Sequence, residues 1–380
     1  MRIALFTETF LPRVDGITNT LCHVLPRFAE RRIETLLFAP AGAPASFAQT
    51  PIVGLRGVPL PQYPEFKIIP PWARFRAALR TFKPDLIHVL NPVTLGAGAI
   101  FWAKRASVPV VASYHTDVPG FMRRWGYCTA AELMRRYMRW VHNHADLNLA
   151  PSRFTLRTLQ QEGYRNLALW GRGVDVQRFN PQKRSEHWRR RLSADQPEKP
   201  LLLFVGRLSY EKRVDWVRSA LEALPDVRFA VVGDGPARPH LERVFAGTLT
   251  VFTGALRGDD LAAAYASADV FVFPSPNETL GNVVLEAMAS GLPVVAPNSG
   301  GLLDHAQEGV NALLFPPEDR SAFVMQVQRI VKNSGLRAQL SRAALLHAQQ
   351  CTWERSVEAL LQAYERVLRT QARFAPLALQ

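Results

Sequence analysis

Two carboxylates, Glu278 and Glu286, stand eight positions apart in the run Glu278-Thr-Leu-Gly-Asn-Val-Val-Leu-Glu286. That separation is a little over two helical turns, so the acids are not stacked neighbours on one helix face. The spacing predicts Glu278 in a loop before a helix, Gly281 near the helix start and Glu286 inside it. The unpaired backbone N–H groups of a helix start favour an anion. Such a unit suits a molecule that carries both hydroxyls and phosphate, as a nucleotide sugar does. An ordinary capped helix with two solvated acids has the same spacing.

Other residues offer matching chemistry. In Phe204-Val-Gly206-Arg207-Leu-Ser-Tyr-Glu-Lys212 an apolar run ends in glycine and two cations follow. Arg207 can grip phosphate oxygens as a fork, and Lys212 adds a point charge; a pair of solvated bases would read alike. Gly233 in Val232-Gly-Asp-Gly-Pro236 permits close backbone approach, but the run lacks the third glycine of a dinucleotide fingerprint. Gly16, at an expected helix start, could contact a diphosphate or simply serve the turn. His115 in Ser113-Tyr-His-Thr-Asp117 follows an apolar strand, where it could orient or deprotonate an acceptor hydroxyl, or be structural. There is no Asp-x-Asp and no His/Cys cluster with metal spacing. We therefore expect no metal and no cofactor, with a diphosphate neutralised by cations and helix N-termini.

These residues need elements to hold them. Short apolar runs at Arg2–Phe6, Ile33–Ala39, Asp85–Val89 and Val108–Ser113 alternate with helical patterns near 18–30, 72–82, 95–106 and 130–144. In the second half Leu201–Gly206, Arg228–Gly233, Leu249–Thr253, Asp269–Phe273 and Pro293–Ala296 repeat the pattern. Apolar strands between helices indicate parallel sheets covered on both faces. The expected class is α/β, with two doubly wound Rossmann-like domains whose ligands sit at the strands' carboxyl ends. The expected boundaries are 1–176 and 200–352, a polar linker 177–199, and a last helix, 353–380, packing back on the first domain.

The 380 residues allow two cores, and a 48% hydrophobic, 21% charged composition excludes a disordered chain. No stretch reaches the roughly 18 apolar residues of a membrane span, and Met1-Arg-Ile-Ala-Leu-Phe reads as a strand rather than a leader. Cys22, Cys128 and Cys351 are scattered and odd in number, which fits a reducing cytosol. Charge is uneven: residues 1–180 hold 23 Lys/Arg against 11 Asp/Glu, the remainder 23 against 21. Only the first half is built to meet an anionic surface.

Taken together, Gly206-Arg207…Glu211-Lys212, Gly233-Asp-Gly-Pro236 and Glu278-x7-Glu286 with its Glu-Ala-Met-Ala-Ser-Gly-Leu-Pro-Val continuation resemble the retaining glycosyltransferases of family 4, with the GT-B fold. Thr7-Glu-Thr-Phe-Leu-Pro-Arg-Val-Asp-Gly-Ile-Thr-Asn-Thr and Leu169-Trp-Gly-Arg-Gly-Val-Asp-Val-Gln-Arg-Phe-Asn-Pro181 are similar to the GDP-mannose-dependent lipid α-mannosyltransferases and the sulfoquinovosyltransferases. The resemblance implies two domains facing across a cleft. It implies that Glu286 holds the ribose, and that Glu278 holds the transferred sugar with the backbone of Leu280, Gly281 and Asn282. Arg207 and Lys212 would hold the diphosphate with Gly16 closing from the other domain, Gly233 would pass close to the donor, residues Gly254–Arg257, Leu256 among them, would frame the base, and His115 would stand by the anomeric carbon. Where the family often has Gly-Gly in the first loop, this chain has Asp15-Gly16; where it often has Phe-Gly, this chain has Leu280-Gly281.

The expected activity is hexosyl transfer, with retention, from a GDP- or UDP-sugar to a hydroxyl of a membrane lipid or glycolipid. Alternatives are a polysaccharide or lipid-linked oligosaccharide acceptor, a nucleotide-sugar epimerase of the same fold, or a basic nucleic-acid-binding protein. The last lacks any recognisable module, so no nucleic-acid partner is expected. Trp72-Ala-Arg-Phe-Arg-Ala-Ala-Leu-Arg-Thr-Phe-Lys83, Arg123-Arg-Trp125 and Arg135-Arg-Tyr-Met-Arg-Trp140 mix bases with aromatics. They suggest attachment to an anionic membrane surface from the cytoplasmic side; a core-facing stripe with a solvated basic edge is the alternative.

Overall fold

The structure is a computed structural model that describes residues 1–13, 15–60, 63–70, 75–124, 126–276, 278 and 280–374. The chain forms two compact units, Met1–Gly171 with Ser356–Gln380, and Arg172–Arg355.

The first unit is built on an eight-stranded sheet. From edge to edge its order is Leu167–Leu169, Leu147–Ala150, Val110–Ser113, Leu86–Leu90, Arg2–Thr7, Glu34–Pro40, Thr50–Leu55 and Ser46–Phe47. All pairs are parallel except the last. Successive side chains point to opposite faces. Ile3 and Leu5 meet Leu21, Leu25 and Phe28 of the helix Gly16–Glu30 on one side, while Ala4 and Phe6 meet Phe75, Leu79 and Ile100 on the other. Burial on both faces is why these strands read as unbroken apolar runs. From Ser356 onward the helix Trp353–Phe374 belongs to this unit, where Val357, Leu360, Tyr364 and Val367 join the first of these cores.

The second unit carries six parallel strands in the order Thr250–Gly254, Arg228–Val232, Leu201–Val205, Val270–Val272, Val294–Pro297 and Ala312–Phe315. In chain order this is 3-2-1-4-5-6. The direction of winding reverses between Leu201–Val205 and Val270–Val272, the place where open parallel sheets take their ligands, at the carboxyl ends of the strands.

Three expectations change. The segment 177–199 is no linker: Phe179, Trp188 and Leu192 are buried in the second unit's core. Arg189 explains its polar look, for this buried guanidinium donates to Pro197 O (2.8 Å), Lys199 O (2.7 Å) and Ser267 O (3.0 Å) and pairs with Asp269 (2.9 Å). In the stretch 72–83, Phe75 and Leu79 are buried against the sheet, with Phe75 edge-on to Phe6 at 5.3 Å, so that stripe faces the core and not a membrane. Trp72 and Arg74 of that stretch, like Trp125, lie outside the described residues. Finally, strands at Thr50–Leu55, Leu147–Ala150, Leu167–Leu169 and Ala312–Phe315 were not foreseen. The first carries Pro51 and Gly54, which weaken a strand pattern.

Candidate functional site

Four adjacent carboxyl ends in the second unit carry the expected donor residues. Gly206 and Arg207 follow the first strand, Gly233 the second, Leu256 the third, and Glu278 the fourth. Lys212 ends a short 3-10 turn, Tyr210–Lys212, and its Nζ pairs with Glu278 Oε1. This ion pair joins loops after the first and fourth strands, so it lies across the reversal point. Both side chains are about four-fifths buried, and Lys212 Nζ also lies 5.6 Å from the Phe273 ring centroid. Ser275 Oγ donates to the same Glu278 oxygen (3.4 Å). Arg207 is exposed and forms no ion pair among the described residues.

Gly281 opens the helix Asn282–Ala289 at φ +77°, a left-handed conformation natural to glycine. It brings no side chain to cap the helix, so the first N–H groups keep their pull on an anion. Leu280 is buried beneath this turn, and Asn282 Oδ1 is buried without a partner. Glu286, one turn further in, accepts from Tyr265 OH (3.0 Å). Burial pushes its carboxyl up to about 7, against the Tyr265 hydrogen bond and the Arg178 charge.

Gly233 sits at φ +140°, and a Cβ there would lie 1.9 Å from Gly206 O. The glycine's open side is therefore filled by the neighbouring strand-end loop. Leu208 N donates to Asp234 O (2.9 Å) and Ala237 N to Leu208 O (3.0 Å), so the two loops form one platform. Leu256 is partly buried against the core of this unit.

In the first unit the helix start at Gly16 is already satisfied. Asp15 Oδ1 accepts from Ile17 N (3.0 Å) and Thr18 N (2.9 Å), and Oδ2 accepts from Thr9 Oγ (2.5 Å). A capping carboxylate occupies the place a diphosphate would take, so of the two expected anion sites the one at Gly281 is the better prepared. Gly16 itself is exposed.

His115 is buried, and its backbone N donates to Asn91 Oδ1 (3.2 Å). Its Nε2 starts a chain of contacts: Ser113 Oγ at 2.8 Å, then His88 Nε2 at 2.9 Å, then from His88 Nδ1 to Tyr364 OH at 2.6 Å. Proton accounting gives the chain one direction. Tyr364 OH is fully buried, and leaving its proton unbonded would cost about 1–3 kcal/mol, so it donates to His88 Nδ1. Burial holds His88 down to about 3, so its ring is neutral and carries one proton, on Nε2. That proton goes to Ser113 Oγ, whose own hydroxyl then donates to His115 Nε2. The network thus assigns the His115 proton to Nδ1.

Motif reading missed His88 and Tyr364, which lie 276 positions apart. It also missed Glu8, which accepts from Val93 N (3.1 Å), Thr94 N (2.5 Å) and Thr94 Oγ (3.2 Å) and which burial pushes up to about 7. A carboxylate directly after the first strand was the available signal.

The chain is similar to known proteins over most of its length. Residues 14–178 match Glycosyltransferase Family 4 and residues 199–333 match Glycosyl transferases group 1. The sulfoquinovosyl transferase SQD2 of Arabidopsis thaliana is 39% identical over 93% of this chain and 71% of its own length. A GDP-mannose-dependent alpha-mannosyltransferase of Mycobacterium tuberculosis is 42% identical over 83% of this chain and 84% of its own. The fold matches that of sucrose-phosphate synthase from Thermosynechococcus elongatus, with TM-score 0.80 and 21% identity over 97% of this chain and 99% of that one. It also matches HepE of Anabaena solved with UDP and glucose, with TM-score 0.76 and 18% identity over 96% and 99%. With both units matched and two relatives aligned over most of their lengths, the chain belongs to glycosyltransferase family 4 and is a hexosyltransferase of the GT-B fold.

Proposed function

We propose that this enzyme moves a hexose, with retention at the anomeric carbon, from a nucleoside diphosphate sugar to a hydroxyl of a membrane lipid or glycolipid. The observation that carries the reading is the Lys212–Glu278 pair across the reversal point, beside the uncapped helix start at Gly281. A cation, a carboxylate and free N–H groups together suit a ligand with both phosphate and hydroxyls. In this reading Arg207, Lys212 and the turn Leu280–Asn282 neutralise the departing diphosphate without a metal. Glu278 orients the sugar, Glu286 takes the ribose hydroxyls, and the loops at Gly233 and Leu256 border the nucleotide. In this reading His115 orients the acceptor hydroxyl. The acceptor's proton then passes to the phosphate oxygen released as the new C–O bond forms.

GDP-mannose is the donor we favour, because several curated relatives are named GDP-mannose-dependent, among them one from Corynebacterium glutamicum that is 34% identical over 97% of this chain. Sulfoquinovose transfer is the second reading, supported by the match to SQD2. A basic, aromatic face supports attachment to anionic lipid: Tyr127, Leu133 and Trp140 are exposed on or beside the helix Cys128–His142.

Nucleotide release measured over GDP-mannose, UDP-glucose, UDP-glucuronate and UDP-sulfoquinovose, with membrane lipid extract as acceptor, tests the proposal. GDP release that requires the lipid is expected. Release from no donor, or equal release without lipid, would reject it. On the responding donor, Arg207→Ala and Lys212→Ala should each cut kcat by about 10²–10³; near-normal turnover in both would reject their roles.

A further inference from the structure

Three side chains that no motif brings together meet in the second unit, apart from the donor residues. His305 closes the 3-10 turn Gly301–Asp304. His347 lies in the last turn of the helix Ser334–Gln350, and Cys351 is that helix's C-cap. Four residues apart at the helix end, His347 and Cys351 share a face. His305 Nδ1 stands 3.3 Å from His347 Nε2, and Cys351 Sγ stands 3.5 Å from the same nitrogen. One ligand atom from each residue lies within 4.8 Å of the other two.

Hydrogen bonding alone does not explain this arrangement. An imidazole nitrogen in the neutral ring has either one proton or one lone pair, so His347 Nε2 can serve one neighbour well, not two. A tetrahedral zinc ion predicts the geometry instead. With Zn–N of about 2.0–2.1 Å and Zn–S of about 2.3 Å, the edges of the tetrahedron are about 3.4 Å between nitrogens and about 3.6 Å from nitrogen to sulfur. Two of the three separations fall within about 0.1 Å of those edges, and the third, between His305 and Cys351, is held to no more than 4.8 Å.

We propose that His305, His347 and Cys351 form a binding site for a borderline-soft divalent cation of the zinc class, with one coordination position left to water. Two nitrogens and a thiolate select zinc or cobalt over magnesium or calcium, which prefer oxygen. The ion plays no part in the sugar transfer. It ties a turn to a helix end 42 residues away, adding a cross-link to the strand pairing and hydrogen bonds that already hold the intervening loop. The helix end donates this clip through Cys351, the residue just before the Thr352-Trp353 step into the last helix.

Cobalt titration of the full-length enzyme tests the site. Wild type should take up one equivalent of Co2+ with a thiolate-to-metal charge-transfer band and the visible spectrum of a tetrahedral centre, and zinc should bleach it. Cys351→Ser and His347→Gln should abolish the band, while Cys22→Ser and Cys128→Ser should leave it intact. Zinc should raise the melting temperature of wild type and not of Cys351→Ser. Should the variants fold poorly, X-ray absorption on zinc-loaded wild type reads the ligands directly, and one sulfur in the shell is expected. A wild type with no band, a band that survives Cys351→Ser, or a shell without sulfur would overturn the proposal.

Discussion

Glu286 holds a proton that its surroundings impose on it. Its carboxyl titrates near 7 in the folded chain, against 4.5 as a free group, because burial disfavours the charge. A group with a raised folded pKa binds more protons in the native state than in the unfolded one. Its share of stability is therefore full below the unfolded value and falls as pH rises toward about 7. Glu286→Gln keeps an oxygen for Tyr265 OH and removes the charge. It should stabilise the fold by about 1–3 kcal/mol at about pH 8 and by almost nothing near pH 4. The same change should weaken GDP binding in calorimetry. Glu278→Gln should leave nucleotide affinity within about threefold and cut kcat by about 10². Equal losses of binding in the two variants would refute the division of labour. Both acids were legible from type and spacing. Their partners were not, because Lys212 and Tyr265 reach them only through the order of the strands. Spacing also set Arg207 and Lys212 side by side, whereas the folded loop exposes one and turns the other onto Glu278.

The last helix extends its influence to His115 through two intermediaries. Tyr364 decides which nitrogen of His88 is protonated, and Ser113 passes that choice to His115. Tyr364→Phe keeps the ring and deletes the only donor in the chain with no alternative. It should lower kcat by about tenfold with donor KM within about twofold, since a freed tautomer loses orientation more than binding. Nitrogen NMR of the His115 ring should show the Nδ1–H form shrinking in the variant. An unchanged tautomer and unchanged kcat would remove Tyr364 from the site. At this scale the strands that are buried on both faces were readable, because apolar runs of Val, Leu and Ile stand out. The short strand Leu147–Ala150 was not, because Asn148 interrupts it; that side chain is buried and bonded to His142 and Arg165.

Across the whole molecule, the surplus of cations sits in residues 1–180, and the helix Cys128–His142 presents bases with exposed Leu133 and Trp140. Arg135 and Arg136 are partly spoken for by Glu132, at 2.7 and 3.0 Å, so the face is less cationic than its composition. Each remaining base near an anionic surface adds about 1 kcal/mol. Flotation with anionic vesicles should show binding that about 0.5 M salt reverses and that Leu133→Ala/Trp140→Ala reduces at least about threefold. Salt-independent binding, or none, would rule out this face. The division into two Rossmann-like units was legible in the alternation of patterns, whereas the polar look of 177–199 concealed Trp188 and Leu192. The helix Trp353–Phe374 has one more consequence, and it concerns synthesis. Val357, Leu360 and Tyr364 leave the ribosome after the whole second unit, yet they complete the hydrophobic core of the unit that begins at Met1. The second unit can close while translation continues, but the first must wait, with part of its sheet uncovered, for the helix Trp353–Phe374 to emerge.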